Sequence, residues 1–211
     1  MNILKNNLVY IIELHQSLVD FCMSKISLLS TKERSKFDSF LQYDDKCRFI
    51  VGHITIRFLL NKNIKHEVEN IEFYYNKYGK MFIIGDKLQF NISHSNNIVA
   101  IVISDDECGV DVEYCKDIEY EELSALYFAN TEKCNNKQDF YRIWTIKEAY
   151  LKMQGKGLIN DLQGINTNEI CKTCNVNILH VVSYACCAIF KNLKSVLHFN
   201  IYDYETFKVY T

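Results

Sequence analysis

The sequence predicts an α+β protein of two similar halves, 1–97 and 98–211, each a small, mostly antiparallel sheet packed with helices. Three observations predict it. Each half reads as one strand, then helices, then several strands, a weak two-fold repeat too diverged to show in identities. The chain has 211 residues, 48% apolar and 24% charged, the balance of an ordinary globular protein with one sizeable core or two small ones sharing an interface. No linker-like or low-complexity segment separates independent domains. With no proline and only seven glycines, turns fall to Asn, Asp, Ser and Gly, as in SHSNN and NKYGKM.

In the first half, 7–14 (NLVYIIEL) reads as a strand, followed by helical material to about Lys25. Ser30 and Thr31 are N-cap candidates before a short charged helix over 32–40. A longer helix is predicted from Asp44 to Leu60, with Cys47, Ile50, Val51, Ile54 and Phe58 at helical spacing. Strand-like pieces follow at 71–77, 80–84 and 88–94. In the second half, the continuous apolar run 98–104 (IVAIVIS) reads as a buried strand and 109–114 (GVDVEY) alternates as another. A short helix near 120–128 leads to a cap candidate at Asn130/Thr131. A long helix then spans Asp139 to Gln154, and 177–190 and 195–202 are strand-like.

Composition excludes some function classes. A net charge of −2 supplies no global basic field for nucleic acid, so any anion site must be a local cluster of Lys, Arg and His. The apolar run near the start, Leu8 to Ile12, is too short for a signal peptide or a membrane span; the expectation is a cytoplasmic protein without membrane contact. Nine cysteines are an odd number in a long chain, which does not suit a disulfide framework. Cys171 and Cys174 in CKTC could be half a zinc site or a redox pair. Cys186 and Cys187 are adjacent and chelate poorly, so reduced thiols are expected.

Three segments carry groups suited to chemistry. In GVDVEY, strand alternation puts Asp111 and Glu113 on one face, where two carboxylates repel unless a cation or protons intervene; alone, the pair reads as a solvated strand face. In FYRIWTIKEAYLKMQ, Ile143, Ile146, Tyr150 and Met153 form the core stripe. Glu148 and Lys152, four apart, point elsewhere, and alone they read as a surface ion pair. In FNISHSNN, His94 ends a strand at a polar turn between Ser93 and Ser95, either as a satisfied strand-end residue or as a phosphate contact. Lys80 and Arg48 add positive charge nearby.

Together, and in this order, LSTKERSKF, DDKCRFIVG, YGKM, FNISHS, GVDVE and WTIKEAYLKMQGKGL make the chain resemble the surfactin-synthetase-activating type of 4′-phosphopantetheinyl transferase over nearly its whole length. The most specific piece is W-x-x-K-E-x-x-x-K at Trp144, Lys147, Glu148 and Lys152, about thirty residues after G-x-D-x-E. Two features depart from the family pattern. Gly79-Lys80-Met81 stands where the family has Gly-Lys-Pro, and the first basic cluster, Arg34 and Lys36, aligns loosely.

The resemblance implies transfer of phosphopantetheine from coenzyme A to a serine of an apo acyl or peptidyl carrier protein. The partner's hydroxyl attacks the β-phosphorus and expels 3′,5′-ADP. Mg²⁺, or Mn²⁺ in its place, would be held by Asp111, Glu113 and Glu148. Three carboxylates and a pyrophosphate diester bring about −5 against +2, so nearby cations are required. Lys152 fits that role and could stabilise the leaving phosphate. Ser93 and His94 would contact the pyrophosphate, and Arg48, Lys80 and Lys36 the 3′-phosphate and adenine end. Glu132 in NTEKC matches the family position of the base, with a metal-held water as the alternative; its other reading is an acid at a helix N-terminus. The site would lie where the halves meet, within a monomer. Two rivals stand beside this reading: a non-catalytic module that binds coenzyme A or a carrier protein, and a metal-dependent phosphohydrolase. Which carrier is served stays open.

Overall fold

A computed structural model describes residues 7–64, 67–157, 162–181, 183–193 and 197–202. The first part of the chain runs β1 (Asn7–Glu13), α1 (Gln16–Ser24), α2 (Thr31–Ser39), α3 (Tyr43–Ile64), β2 (Phe73–Tyr75), β3 (Met81–Ile83), β4 (Gln89–Ser95) and β5 (Ile98–Ser104). The second runs β6 (Cys108–Tyr114), α4 (Tyr120–Tyr127), α5 (Lys137–Gln154), α6 (Thr167–Thr173), β7 (Asn175–Val181), β8 (Tyr184–Phe190) and β9 (Leu197–Tyr202). The expected α+β class and its mostly antiparallel sheets are what the chain forms. One sheet has the order β4-β5-β1-β9, another β6-β8-β7, and β2-β3 is a small hairpin. Among the described residues only β9 runs parallel to its neighbour, pairing with β1.

Strand alternation sorts the core into layers. On β1, Tyr10 and Ile12 face α1 and α3, where they meet Leu18, Ile50, Ile54 and Leu60. Val9 and Ile11 face the other way and pack with Ala100 and Val102 against Val110, Val112 and Ala188 of the second sheet. That sheet's outer face carries Cys187 and Ile189, covered by Ile146, Ala149 and Met153 of α5 and by Ile170 of α6. The result is helix, sheet, sheet, helix. It explains why β5, in the middle, is buried along its whole length. It also places the adjacent Cys186 and Cys187 on opposite faces, both buried. All nine cysteines are free thiols. Cys171 is exposed on α6 and Cys174, at that helix's end, is buried.

Two departures from the expected elements bear on function. The 97/98 division falls in the tight turn between β4 and β5, which pair throughout, so the first sheet continues to Ser104 before the chain crosses to the second. No helix begins at Asn130/Thr131: that stretch is a turn, and Asn136 caps α5 by accepting from the Asp139 N–H (2.8 Å). The Ser30 expectation holds fully. Ser30 and Glu33 form a reciprocal capping box at the start of α2.

The sheets are stitched where β4 meets β6. Asn91, Ser93 and Ser95 project from one face of β4. Their side-chain oxygens accept the N–H groups of Val110 (3.0 Å), Val112 (3.4 Å) and Tyr114 (3.0 Å). These donors lie on the free edge of β6, and buried backbone donors left unmet are costly. At the same strand, α5 lies so close that a Cβ on Gly109 would come within 2.0 Å of the Ala149 carbonyl oxygen. Only glycine fits there. The contact presses α5 onto β6 and brings their functional faces together.

Candidate active site

The seam delivers the first carboxylates. Asp111, 2% exposed, accepts from the Ser93 hydroxyl (3.0 Å) and the Lys152 ammonium (2.6 Å), both on Oδ1. Its Oδ2 is buried with no hydrogen-bond partner among the described residues. Glu113, two residues on and on the same face, accepts from the Ser95 hydroxyl (3.1 Å). The third carboxylate comes from α5: Glu148 Oε1 is likewise buried and without a hydrogen-bond partner among the described residues. Burial pushes the Glu148 carboxyl above its ordinary range, and Asp111 and Glu113 push it further, against the pull of Lys152. Glu113 is raised by burial and by Asp111, offset in part by Ser95 and Lys152. The expected four-residue set therefore comes together. Lys152, though, pairs with Asp111 and donates to Ser93 (2.8 Å) rather than serving as the helical partner of Glu148.

The three acids do not stand as a finished metal cage. Among the described residues no group of three or more His, Cys, Asp or Glu side chains is arranged to hold a metal ion. The physical reason lies in the partners. Two hydroxyls and an ammonium hold Asp111 and Glu113 to the seam, and like charges keep carboxylates apart when no cation lies between them. The donor chemistry nonetheless suits a hard divalent cation, since two carboxylate oxygens are buried and unmet.

Beside this cluster a cavity of about 520 Å³ opens between α2, α3, the 75–81 loop and β4. Lys32, Lys36, Arg48, Lys77 and His94 line it. Lys32 and Lys36, four apart on α2, lie over the rings of Tyr75 and Phe40 (4.6 and 5.0 Å). Arg48 is anchored by Asp45 (2.6 Å) and the Asn96 carbonyl (2.8 Å). His94 links pocket and cluster: it lines the cavity and feels Lys152. Loss of hydration, then the charges of Lys152 and Arg48, push its imidazole down to about 4. Of the loosely aligned basic pair, Lys36 reaches the pocket, while Arg34 turns to the Ile26 carbonyl (2.8 Å).

Two expected site residues lead elsewhere. The stem of Lys80 lines the cavity, but its ammonium donates to the carbonyls of Met153 (2.7 Å) and Cys108 (3.2 Å). The last carbonyls of a helix are a natural seat for a cation, so Lys80 braces the end of α5 instead of presenting charge to a ligand. Asn76 strengthens the brace by donating to the Gly155 carbonyl (2.8 Å). Glu132 lies in the turn before α5 and pairs with Lys147 (2.7 Å), both side chains 1% exposed. It also accepts from the N–H groups of Ala129 (2.8 Å) and Thr167 (2.7 Å). Burial alone would raise its pKa; Lys147 and these donors outweigh that and hold it low. Both its oxygens are taken, and it borders a separate cavity of about 250 Å³ with Lys133 and Arg142.

Several groups at the site went unread in the sequence. Lys32 and Lys77 were legible only as ordinary lysines, although the spacing of Lys32 to Lys36 was a signal. Glu33, His53 and Arg57 form a buried network behind the pocket: Glu33 accepts from Arg57 (2.6 Å) and lies 2.8 Å from His53 Nδ1.

Residues 17–106 match the family model described as 4′-phosphopantetheinyl transferase, N-terminal, and residues 107–193 match that of the 4′-phosphopantetheinyl transferase superfamily. The chain belongs to this superfamily. It is 32% identical over 153 residues to the 4′-phosphopantetheinyl transferase gsp of Aneurinibacillus migulanus, covering 69% of this chain. It is 30% identical over 142 residues to the transferase Sfp of Bacillus subtilis, covering 63% of this chain. A third similar protein is the transferase HetI of a Nostoc species, 32% identical over 145 residues, 62% of this chain and 61% of HetI. The chain spans 63% of the length of the first two relatives. The two family matches meet at 106/107, the crossing between the sheets. No helix among the described residues is long and apolar enough to cross a membrane.

Proposed function

We propose that the protein transfers the 4′-phosphopantetheine group of coenzyme A to a serine hydroxyl of an apo acyl or peptidyl carrier protein, with Mg²⁺, releasing 3′,5′-ADP. One observation carries this reading: three carboxylates from β6 and α5, two with buried unmet oxygens, adjoin a cation-lined pocket that Lys152 and His94 join to them. The pocket offers positive charge to a nucleotide's phosphates, and the carboxylate cluster supplies oxygen donors to a metal.

Asp111, Glu113 and Glu148 would hold the Mg²⁺, which when bound neutralises charge on the phosphate oxygens. Lys32, Lys36 and Arg48 bind the nucleotide's phosphates, and His94 and Lys152 meet the pyrophosphate. His94 is neutral when the pocket is empty and gains a proton more readily beside an anion. The serine oxygen bonds to the β-phosphorus as the bond to the bridging oxygen breaks. The electron pair leaves with 3′,5′-ADP, whose charge Lys152 offsets. The serine proton passes to a water at the site, since the oxygens of Asp111, Glu113 and Glu148 are the ones that would hold the metal. Glu132, closed in its ion pair, is left to hold the turn before α5. Both parts of the site come from one chain, which fits a monomer.

The test is a mass measurement. An apo carrier protein incubated with coenzyme A, Mg²⁺ and this protein should gain about 340 Da. A carrier left unmodified at high enzyme concentration refutes the transfer. Release of phosphopantetheine to water with no carrier present favours a hydrolase.

A further inference from the structure

The network behind the pocket has a geometry that the transfer chemistry does not use. Glu33 receives donors from three residues: Ser30 through its N–H and hydroxyl (2.9 and 2.7 Å), Arg57 (2.6 Å) and, on Oε1, His53 (2.8 Å). Burial would raise its pKa, but His53, Arg57 and Ser30 outweigh that and hold the carboxyl far below the usual range. An ionised carboxylate only accepts, so the proton between the two residues sits on His53 Nδ1. Burial holds His53 below the ordinary imidazole range, so the ring is neutral. Its second nitrogen, Nε2, is then a bare acceptor. The ring is stacked on Phe49 (centroids 3.8 Å apart, planes at 22°), which fixes where that edge points.

His53 lines the 520 Å³ cavity, and the carboxylate and amide side chains there already hold donors. Asn91 Oδ1 takes the Val110 N–H, and Asn76 Oδ1 takes those of Tyr78 and Lys80 (2.9 and 3.0 Å). Glu33 is filled as described. Among the carboxylate, amide and imidazole side chains lining the cavity, the two histidines are what remains, and His94 sits at the cationic end beside Arg48 and Lys152. The rest of the lining offers charge donors: Lys32, Lys36, Arg48 and Lys77.

We infer that His53 is a specificity-determining residue, whose Nε2 accepts a hydrogen bond from the exocyclic amino group of the nucleotide's base. The inference rests on the coenzyme A reading, since that ligand carries an aminopurine. A 6-oxo base would set its own oxygen against the same lone pair and leave the acceptor unmet. Arg57 and Glu33 act through His53, fixing its tautomer, and are positioning residues.

The test compares coenzyme A with the analogue whose 6-amino group is replaced by oxygen. Binding to the free protein is measured by calorimetry, and kcat/KM with a carrier protein. The wild type should prefer coenzyme A by about tenfold, the scale of one acceptor left unmet. His53→Phe keeps the ring stack and removes both nitrogens. It should bind both ligands equally while still transferring from each. His53→Gln, which returns an acceptor at the distal end, should restore part of the preference. An unchanged preference in His53→Phe, or none in the wild type, overturns the inference while leaving transfer standing. A wild-type protein that binds neither ligand overturns both.

Discussion

Helix α5 carries two lysines against two carboxylates, and the pairs are built to opposite ends. Lys147 and Glu132 are sealed: both side chains are 1% exposed, and each finds further partners, Lys147 at the carbonyls of Tyr127 and Leu162 and Glu132 at two N–H groups. Lys152 and Asp111 are open: the lysine is partly exposed, and Asp111 keeps a buried oxygen without a hydrogen-bond partner among the described residues. A buried pair with every group met belongs to the architecture. A pair with unmet capacity, beside a third carboxylate whose proton affinity is raised, is arranged for something that arrives from outside.

The sharpest way to break this contrast is at the open pair. Glu148→Gln or Asp111→Asn should lower transfer by at least about 10³-fold, as expected when charge needed in the transition state is lost. Thermal stability should be unchanged or higher, because a buried carboxylate with an unmet oxygen costs the fold. Near-wild-type carrier modification by either variant would remove both residues from the chemistry. The closed pair should respond in reverse. Lys147→Met leaves Glu132 charged and buried, and should cost about 3–5 kcal/mol in denaturant unfolding. Adding Glu132→Leu should recover much of that loss, and a double variant no more stable than Lys147→Met would show that the two do not act as a pair.

Lys152→Ala should lie between them. Transfer should fall about 10²-fold, with a smaller stability loss than Lys147→Met because its ammonium is partly solvated. The smallest effect is a pH dependence. The folded-state carboxyls of Glu148 and Glu113 bind protons more tightly than the ordinary value of 4.5, so at these two sites the folded protein carries more protons than the unfolded chain above that pH. The contribution of these two groups to the stability of the metal-free protein should therefore decline as pH rises from 4.5 through the raised values, opposite in sign to that of the depressed imidazoles of His53 and His94. Glu148→Gln should flatten that decline in thermal melts. An identical pH profile in the variant would mean that Glu148 titrates as in the unfolded chain.

Much of the fold was legible because it depends on local rules. The apolar run of β5, the alternation of β6, the Ser30–Glu33 cap and the stripe of α5 each follow from spacing alone. The convergence of Asp111, Glu113, Glu148 and Lys152 was legible through motif order. What escaped were choices made across the fold. Lys80 is basic and beside a glycine in any reading, yet its ammonium goes to the end of α5, far along the chain. Glu132 could be read as a base because only tertiary packing shows Lys147 pairing with it. Glu33 could be read as a cap but not as the anchor of His53 and Arg57, because only tertiary packing brings α3 to it.

The stitching of β4 to β6 has a further consequence. Ordinary neighbouring strands are joined through main-chain atoms, which substitution leaves in place. Here the junction consists of one asparagine and two serines, so each rung can be deleted singly without touching the backbone of either sheet. Removing Asn91 would unmask one amide of β6, and hydrogen exchange at Val110 would report it directly. Ser93 and Ser95 belong to the same ladder and also hold Asp111 and Glu113. The geometry of the carboxylate cluster is thus graded along one line, from a rung that holds only β6 to two that also hold the acids, and the two contributions are separable position by position.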